Sequence, residues 1–154
     1  MLTDHGGDWD AYLEAVYAAF VSDFVTNPPP PFDGKRVGLK RHPRFKDKEA
    51  TFWHFVSEGR AEEERLPDLR RCERIRWPRA MIDAVNSGRV AGWKNKREGE
   101  ERYVLALPDF SYVVVLADRG GYVLPWTAYS VEYEHRRRRL RMEHEAARKS
   151  WCRP

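Results

Sequence analysis

The sequence predicts an α+β fold, with helices first and an antiparallel sheet after them. Apolar residues recur at helical spacing through the first half of the chain, and four short β-type runs follow one another through the second. The links between those runs are too short for the crossover that parallel neighbours need, so the sheet is expected as a four-stranded antiparallel meander. Three segments are expected: an N-terminal helix with a proline spacer (1–31), the α+β domain (32–130), and a basic C-terminal helix or tail (131–154).

The elements can be justified in order. Over residues 9–25, Trp9, Leu13, Val16, Tyr17, Phe20 and Phe24 recur at helical spacing and form one stripe, and Asp8 suits the N-cap. Pro28, Pro29, Pro30 and Pro31 then stop the helix and stiffen the link, so this helix is expected as an arm or lid. Residues 34–43 are crowded with Lys35, Arg36, Lys40, Arg41 and His42, and suit a short strand or loop. Helix is expected over 49–58, closed by Gly59, and again around 67–77. A third helix starts at Pro78, a proline well placed in a first turn, and runs to 84 or 85.

The β runs cover residues 92–96, 102–107, 111–117 and 122–129, separated by Arg-Glu-Gly-Glu, Pro-Asp and Asp-Arg-Gly-Gly turns. Val113-Val114-Val115-Leu116 does not alternate, which marks a central strand covered on both faces. Over 131–149 a charged helix carries Arg136 to Arg139, with Glu132 four residues before Arg136 and Glu134 four before Arg138.

Composition narrows the function. With 154 residues, 42% hydrophobic and 34% charged, the chain is not a membrane span, a collagen-like chain or a wholly disordered protein. A net charge of +4 favours an anionic partner without proving one, and six Trp residues can fill a core or stack on bases. Two cysteines give no disulfide framework, and residues 1–10 hold no signal-peptide core, so a reducing, cytoplasmic location is expected with no membrane partner. The histidines show no HExxH spacing, and there is no CxxC, Walker A, GxGxxG or GxSxG motif. No metal and no cofactor are therefore expected, and any site would be built from His, Lys, Arg, Thr and Tyr.

Three groupings remain. On a helical wheel Phe52, Phe55 and Val56 share a side, while His54 points nearly opposite, with Glu58 one turn on to hold its tautomer. An exposed histidine with no task fits the same wheel. Strand alternation places Thr127 and Tyr129 on one face of the last run and Lys94 and Lys96 on one face of the first. A lysine beside a Thr hydroxyl and a Tyr phenol can bind phosphate and steady a developing oxyanion, although a solvated sheet face also carries such residues. Arg70, Arg71, Arg74, Arg76 and Arg79, interleaved with Ile75 and Trp77, can hold a phosphate backbone or simply pair with nearby acids.

Taken together, Lys40-Arg-His-Pro43, the 49–59 segment around Trp53-His54-Phe55, the 71–77 basic segment, Trp93-Lys-Asn95 and Trp126-Thr-Ala-Tyr129 form an ordered series. This series resembles the barnase, EndoU, colicin E5/D and RelE-like (BECR-type) group of RNases, especially phage and prophage members, across residues 34–129. The resemblance implies a helical unit packed on an antiparallel sheet, and metal-independent cleavage of RNA in which a base deprotonates the ribose 2′-OH for attack on phosphorus. It implies His54 as general base or acid, Lys94 as the group meeting phosphorane charge, and Thr127 and Tyr129 as phosphate or proton donors. Arg74, Arg76, Arg79, Lys40 and Asn95 would contact RNA, a tRNA or another structured RNA. A toxin-like nuclease of this kind would have an acidic inhibitor protein as partner. The alternative is a non-catalytic nucleic-acid-binding or adaptor protein of a mobile element, and convergence of His54, Lys94 and Thr127 in one pocket separates the two.

Overall fold

A computed structural model describes residues 6–59, 64–147 and 151–153. Helix α1 (Trp9–Val21) starts where expected, since Asp8 Oδ1 accepts a hydrogen bond from the Ala11 N–H at 3.0 Å. A π-helical turn (Ser22–Thr26) ends it before the prolines. There follow β1 (Arg36–Val37), α2 (Ala50–Val56), β2 (Ser57–Glu58), β3 (Leu66–Pro67), α3 (Leu69–Glu73) and α4 (Trp77–Ala84). The second half holds β4 (Ala91–Arg97), β5 (Glu100–Ala106), β6 (Tyr112–Asp118), β7 (Tyr122–Ser130), α5 (Glu134–Ala146) and β8 (Cys152–Arg153). The class is α+β.

Strands β4 to β7 form the antiparallel run that the short turns require. Glu98 and Gly99 close the β4–β5 hairpin with φ of 52° and 82°, the twist that a two-residue loop between right-twisted strands demands. Among the described residues the sheet nevertheless has six strands rather than four, in the order β1-β7-β6-β5-β4-β8. The two additions are two-residue edge strands, β1 parallel to β7 and β8 antiparallel to β4. Neither carries an alternating pattern, because tertiary placement rather than local sequence makes them strands.

Both sheet faces are covered. Tyr103, Leu105, Tyr112, Val114, Leu116 and Val123 pack beneath the helices of the first half. Trp93, Val104, Ala106, Val113 and Val115 face the other way, where α5 lays Leu140 and His144 against them. Every residue from Tyr112 to Ala117 is buried, as the uninterrupted apolar run requires of a central strand.

Three expectations change. The N-terminal helix is no arm or lid: Val16 and Phe20 are fully buried in the main core, with the Phe20 ring 5.6 Å from Phe52 and 6.1 Å from Phe55. The α2 helix ends at Val56, because Ser57 turns extended to pair with Pro67. The expected charge pairs of α5 do not form, since Glu132 lies ahead of the helix and pairs with Arg70, and Glu134 faces Arg141 at 3.9 Å. Among the described residues no helix is long and apolar enough to cross a membrane.

Candidate functional site

The β7 edge is where the sheet leaves its pattern. Strand β1 covers β7 only at Tyr122 and Val123, so from Leu124 onward the outer edge of β7 has no strand beside it among the described residues. Pro125 suits such an edge because it has no N–H to leave unpaired. Pro125 lies opposite Leu116 and Thr127 opposite Val115, which makes Trp126 the extra residue of a β-bulge. The bulge re-aims the indole. Trp126 is half-buried, and its ring meets His54 edge-on at 5.0 Å, Lys40 Nζ at 5.5 Å and the Arg119 guanidinium at 5.6 Å. Two cations thus approach one indole, an arrangement held by the ring's electron-rich face.

Beside it, Arg71 of α3 gathers several groups. Its Nη1 donates to the Ser57 carbonyl at 3.3 Å, the His54 carbonyl at 3.5 Å and Thr127 Oγ1 at 3.3 Å. Its Nη2 donates to Glu58 Oε1 at 2.7 Å, and the guanidinium carbon lies 5.9 Å from the Tyr129 ring centre. Asp68 makes this reach possible by capping α3 through the Arg70 and Arg71 N–H groups at 2.8 and 3.4 Å. A cleft of about 300 Å³ opens here, lined by Tyr129, Tyr133, Arg70, Arg71, Arg136 and their acidic neighbours. Burial raises the Tyr129 phenol above its ordinary value, with Glu143 adding to the rise and Arg97, Arg71 and Arg136 opposing it. At neutral pH the phenol is therefore a hydrogen-bond donor or a stacking ring, and not a base.

Comparison with protein families, curated proteins and solved structures finds no match. The site rests on its own geometry.

That geometry divides the sequence-predicted residues. His54, Thr127, Tyr129 and Lys40 come together around the β7 edge. Lys94 does not join them. Paired positions share a face, so the chain of partners Lys94, Tyr103 and Leu116 puts Lys94 on the helix-covered side, whereas Trp93, Val104, Val115 and Thr127 share the other. Three strand spacings of about 4.8 Å also separate β4 from β7. Lys94 instead sits 4.7 Å from the Tyr103 ring centre and 3.5 Å from Asp118 Oδ2. Burial works against the Asp118 charge, but the Lys35 ammonium at 2.7 Å, the Gly120 N–H and Lys94 outweigh it and hold this carboxyl below its ordinary value.

The other expected contacts have partners within the fold. Asn95 Nδ2 donates to Glu143 Oε1 at 2.8 Å and ties β4 to α5. Arg76 pairs with Asp23 at 2.8 Å, and Arg79 with Asp83 at 2.9 Å and with the Asp23 and Asn27 carbonyls in and just after the π-helical turn, so both anchor α4. Arg74 lies 5.2 Å from the Trp77 ring centre and 3.6 Å from Glu73. His54 is buried at 5% exposure rather than facing solvent, because α2 is enclosed on both sides, by Phe20 of α1 and by Trp126 of β7. Glu58 answers Arg71 instead of the imidazole.

Sequence reasoning missed Arg119 altogether, named Arg71 only as one of five arginines able to hold phosphate, and gave Trp126 no role of its own. For Trp126 a signal existed, since a proline inside a β run marks an edge or a bulge. Arg119 reads only as part of a turn, and nothing local sets Arg71 apart from the arginines around it.

Proposed function

We propose that this chain binds single-stranded or looped RNA along the β7 edge, with Trp126 and Tyr129 as stacking surfaces and Lys40, Arg119, Arg71 and Arg136 meeting phosphates. The observation that carries this reading is the bulged Trp126, half-buried between two cations on a strand edge that no other strand covers among the described residues. Half-exposed aromatic rings on a strand, flanked by Lys and Arg, suit bases from any sequence, because every base has a π-face. The two rings are three residues apart, about 10 Å along a strand. Of the cations, Arg71 is committed to Glu58 at 2.7 Å and Arg119 to Glu100 at 2.9 Å, so phosphate binding would exchange partners there.

Metal-independent cleavage is kept as a second reading on one observation. Arg71 Nη1 donates to the His54 main-chain carbonyl and to Thr127 Oγ1, while the His54 ring lies edge-on to Trp126, the residue before Thr127, so an imidazole, a hydroxyl and a guanidinium lie at one strand edge. In that reading Arg71 rather than Lys94 meets the phosphorane charge, and the imidazole moves the 2′-OH proton. The experiment is to incubate purified protein with labelled single-stranded, hairpin and tRNA substrates in excess EDTA, following anisotropy and product ends together. Saturable binding with intact RNA supports the binding reading. Cyclic-phosphate ends lost in His54→Ala and in Arg71→Ala support cleavage. Absence of saturable binding to any of these RNAs rejects both.

A further inference from the structure

We propose that the β1 edge is a second binding surface, which captures an extended peptide of alternating apolar and acidic residues by adding it as a strand. The inference is independent of the RNA reading and uses different residues. The Gly38 N–H donates to the Val123 carbonyl at 2.8 Å, and the register pairs Arg36 with Tyr122. Since main-chain groups alternate sides along a strand, Arg36 and Gly38 bond to β7 while Val37 and Leu39 turn their N–H and C=O away from the sheet. Neither Val37 nor Leu39 has another main-chain partner among the described residues.

These groups open into a groove of about 320 Å³, walled on the far side by Phe24, Val25, Pro28 and Pro31. Prolines have no N–H and their fixed backbone does not complete a ladder, so this wall bounds the edge without pairing with it. A strand laid on β1 would have two unlike faces. Val37 and its partner Val123 belong to the helix-covered core, so the incoming residues on that side would meet Phe24, Val25 and the prolines. The other face carries Arg36, which has no carboxylate in ion-pair range among the described residues and lies 5.5 Å from the Tyr122 ring centre. Arg41, also lining the groove, is 57% exposed and only loosely paired with Glu49 at 3.8 Å. Apolar residues on one side and carboxylates on the other are therefore the matching chemistry, and main-chain hydrogen bonds supply the affinity.

The test uses the full chain and a fluorescent acetyl-(Val-Glu)₃-Val-amide peptide, with (Val-Lys)₃-Val as the charge-reversed probe. Saturable anisotropy is expected for the Glu peptide, with the largest amide shifts in NMR spectra at Val37 and Leu39. N-methylation of the Val amides and of the Glu amides should differ sharply, one set abolishing binding and the other sparing it, because only alternate N–H groups face β1. Arg36→Glu with Arg41→Glu should weaken the Glu peptide by at least ~10-fold and admit the Lys peptide, the circular dichroism spectrum being unchanged. The proposal is overturned if both N-methylated sets bind alike or if the wild type takes the Lys peptide equally well. It is also overturned if shifts gather at Trp126 instead, if the free chain self-associates through β1, or if no binding is seen up to about 1 mM peptide.

Discussion

If RNA lies on the β7 edge, salt dependence reports how many cations touch it and which they are. Lys40, Arg71, Arg119 and Arg136 are the four placed there, each over an aromatic ring of the site. For a single strand the slope of log K against log salt is about −0.7 per neutralised phosphate, so four contacts give about −2.8. Raising salt from about 50 to about 200 mM should then weaken binding about 50-fold. In Lys40→Ala with Arg119→Ala two contacts remain, the slope falls to about −1.4, and the same salt step costs only about sevenfold. The control removes equal charge elsewhere: Arg138→Ala with Arg139→Ala takes two exposed arginines from the outer face of α5. That variant has the same net charge as the first, yet should keep the wild-type slope. Fluorescence anisotropy with a labelled single-stranded RNA over this salt range measures all three. Equal slopes in the two double variants would show that only bulk charge acts, and the β7 site would be abandoned.

Three further outcomes are expected. Arg71→Ala leaves the buried His54 carbonyl and the Thr127 hydroxyl without their shared donor, while the Ser57 carbonyl keeps Arg65 Nη1 at 3.3 Å, costing about 2 kcal/mol, or about 4–8 °C in Tm; Glu58→Gln, which removes only a pair with a solvent-facing carboxylate, should cost below about 0.5 kcal/mol by the same thermal melts. Trp126→Leu removes the π-face while keeping apolar bulk, and should weaken RNA binding at least about fivefold in anisotropy titrations; unchanged affinity in a folded variant would exclude stacking on this ring. Burial lifts the Cys72 thiol from 9.0 to about 12 and the Tyr12 phenol from 10.0 to about 12, so the folded chain holds protons that the unfolded chain releases. That stabilisation is complete below the unfolded values and is lost as pH rises through the alkaline range toward about 12, which urea unfolding at increasing pH should show, with a shallower decline in Cys72→Val.

What could be read from sequence was what repeats locally. The stripe of α1, its Asp8 cap and the runs that became β4 to β7 all follow from periodicity and turn chemistry. The errors have one physical source, which is that local patterns assume a single covered face and an unbroken register. A helical wheel puts His54 outside because it assumes one buried side, but α2 sits between α1 and β7 and is buried all round. Alternation leaves Lys94 free to stand beside Thr127 because it fixes parity within a strand and says nothing of parity between strands. Strands β1 and β8 are two residues long, too short to carry a pattern, and exist only because a neighbour's free edge receives them.

The position of the site follows from how the sheet is closed. Helices cover one face and α5 lies on the other, while β8 pairs with β4 at one margin. At the opposite margin β1 covers β7 for two residues and then departs, because residues 38–48 must lead back to the start of α2. Beyond that point the sheet is sheltered by α2, and the bulge turns Trp126 into the gap between strand and helix. A bulge there does two things at once. It interrupts the β6–β7 ladder at one residue, which disturbs the edge as a template for another strand, and it presents a large ring beside the basic loop that has just left the sheet. Lys40 lies over that ring because it belongs to this loop, and Arg119 because the β6–β7 turn ends at the same margin. The buried imidazole sits edge-on to the indole, while Trp126, Tyr129, Lys40 and Arg119 are half-buried and Arg136 is exposed. On that arrangement the chemistry nearest to solvent is stacking and charge, which is why binding is the first reading and proton transfer the second.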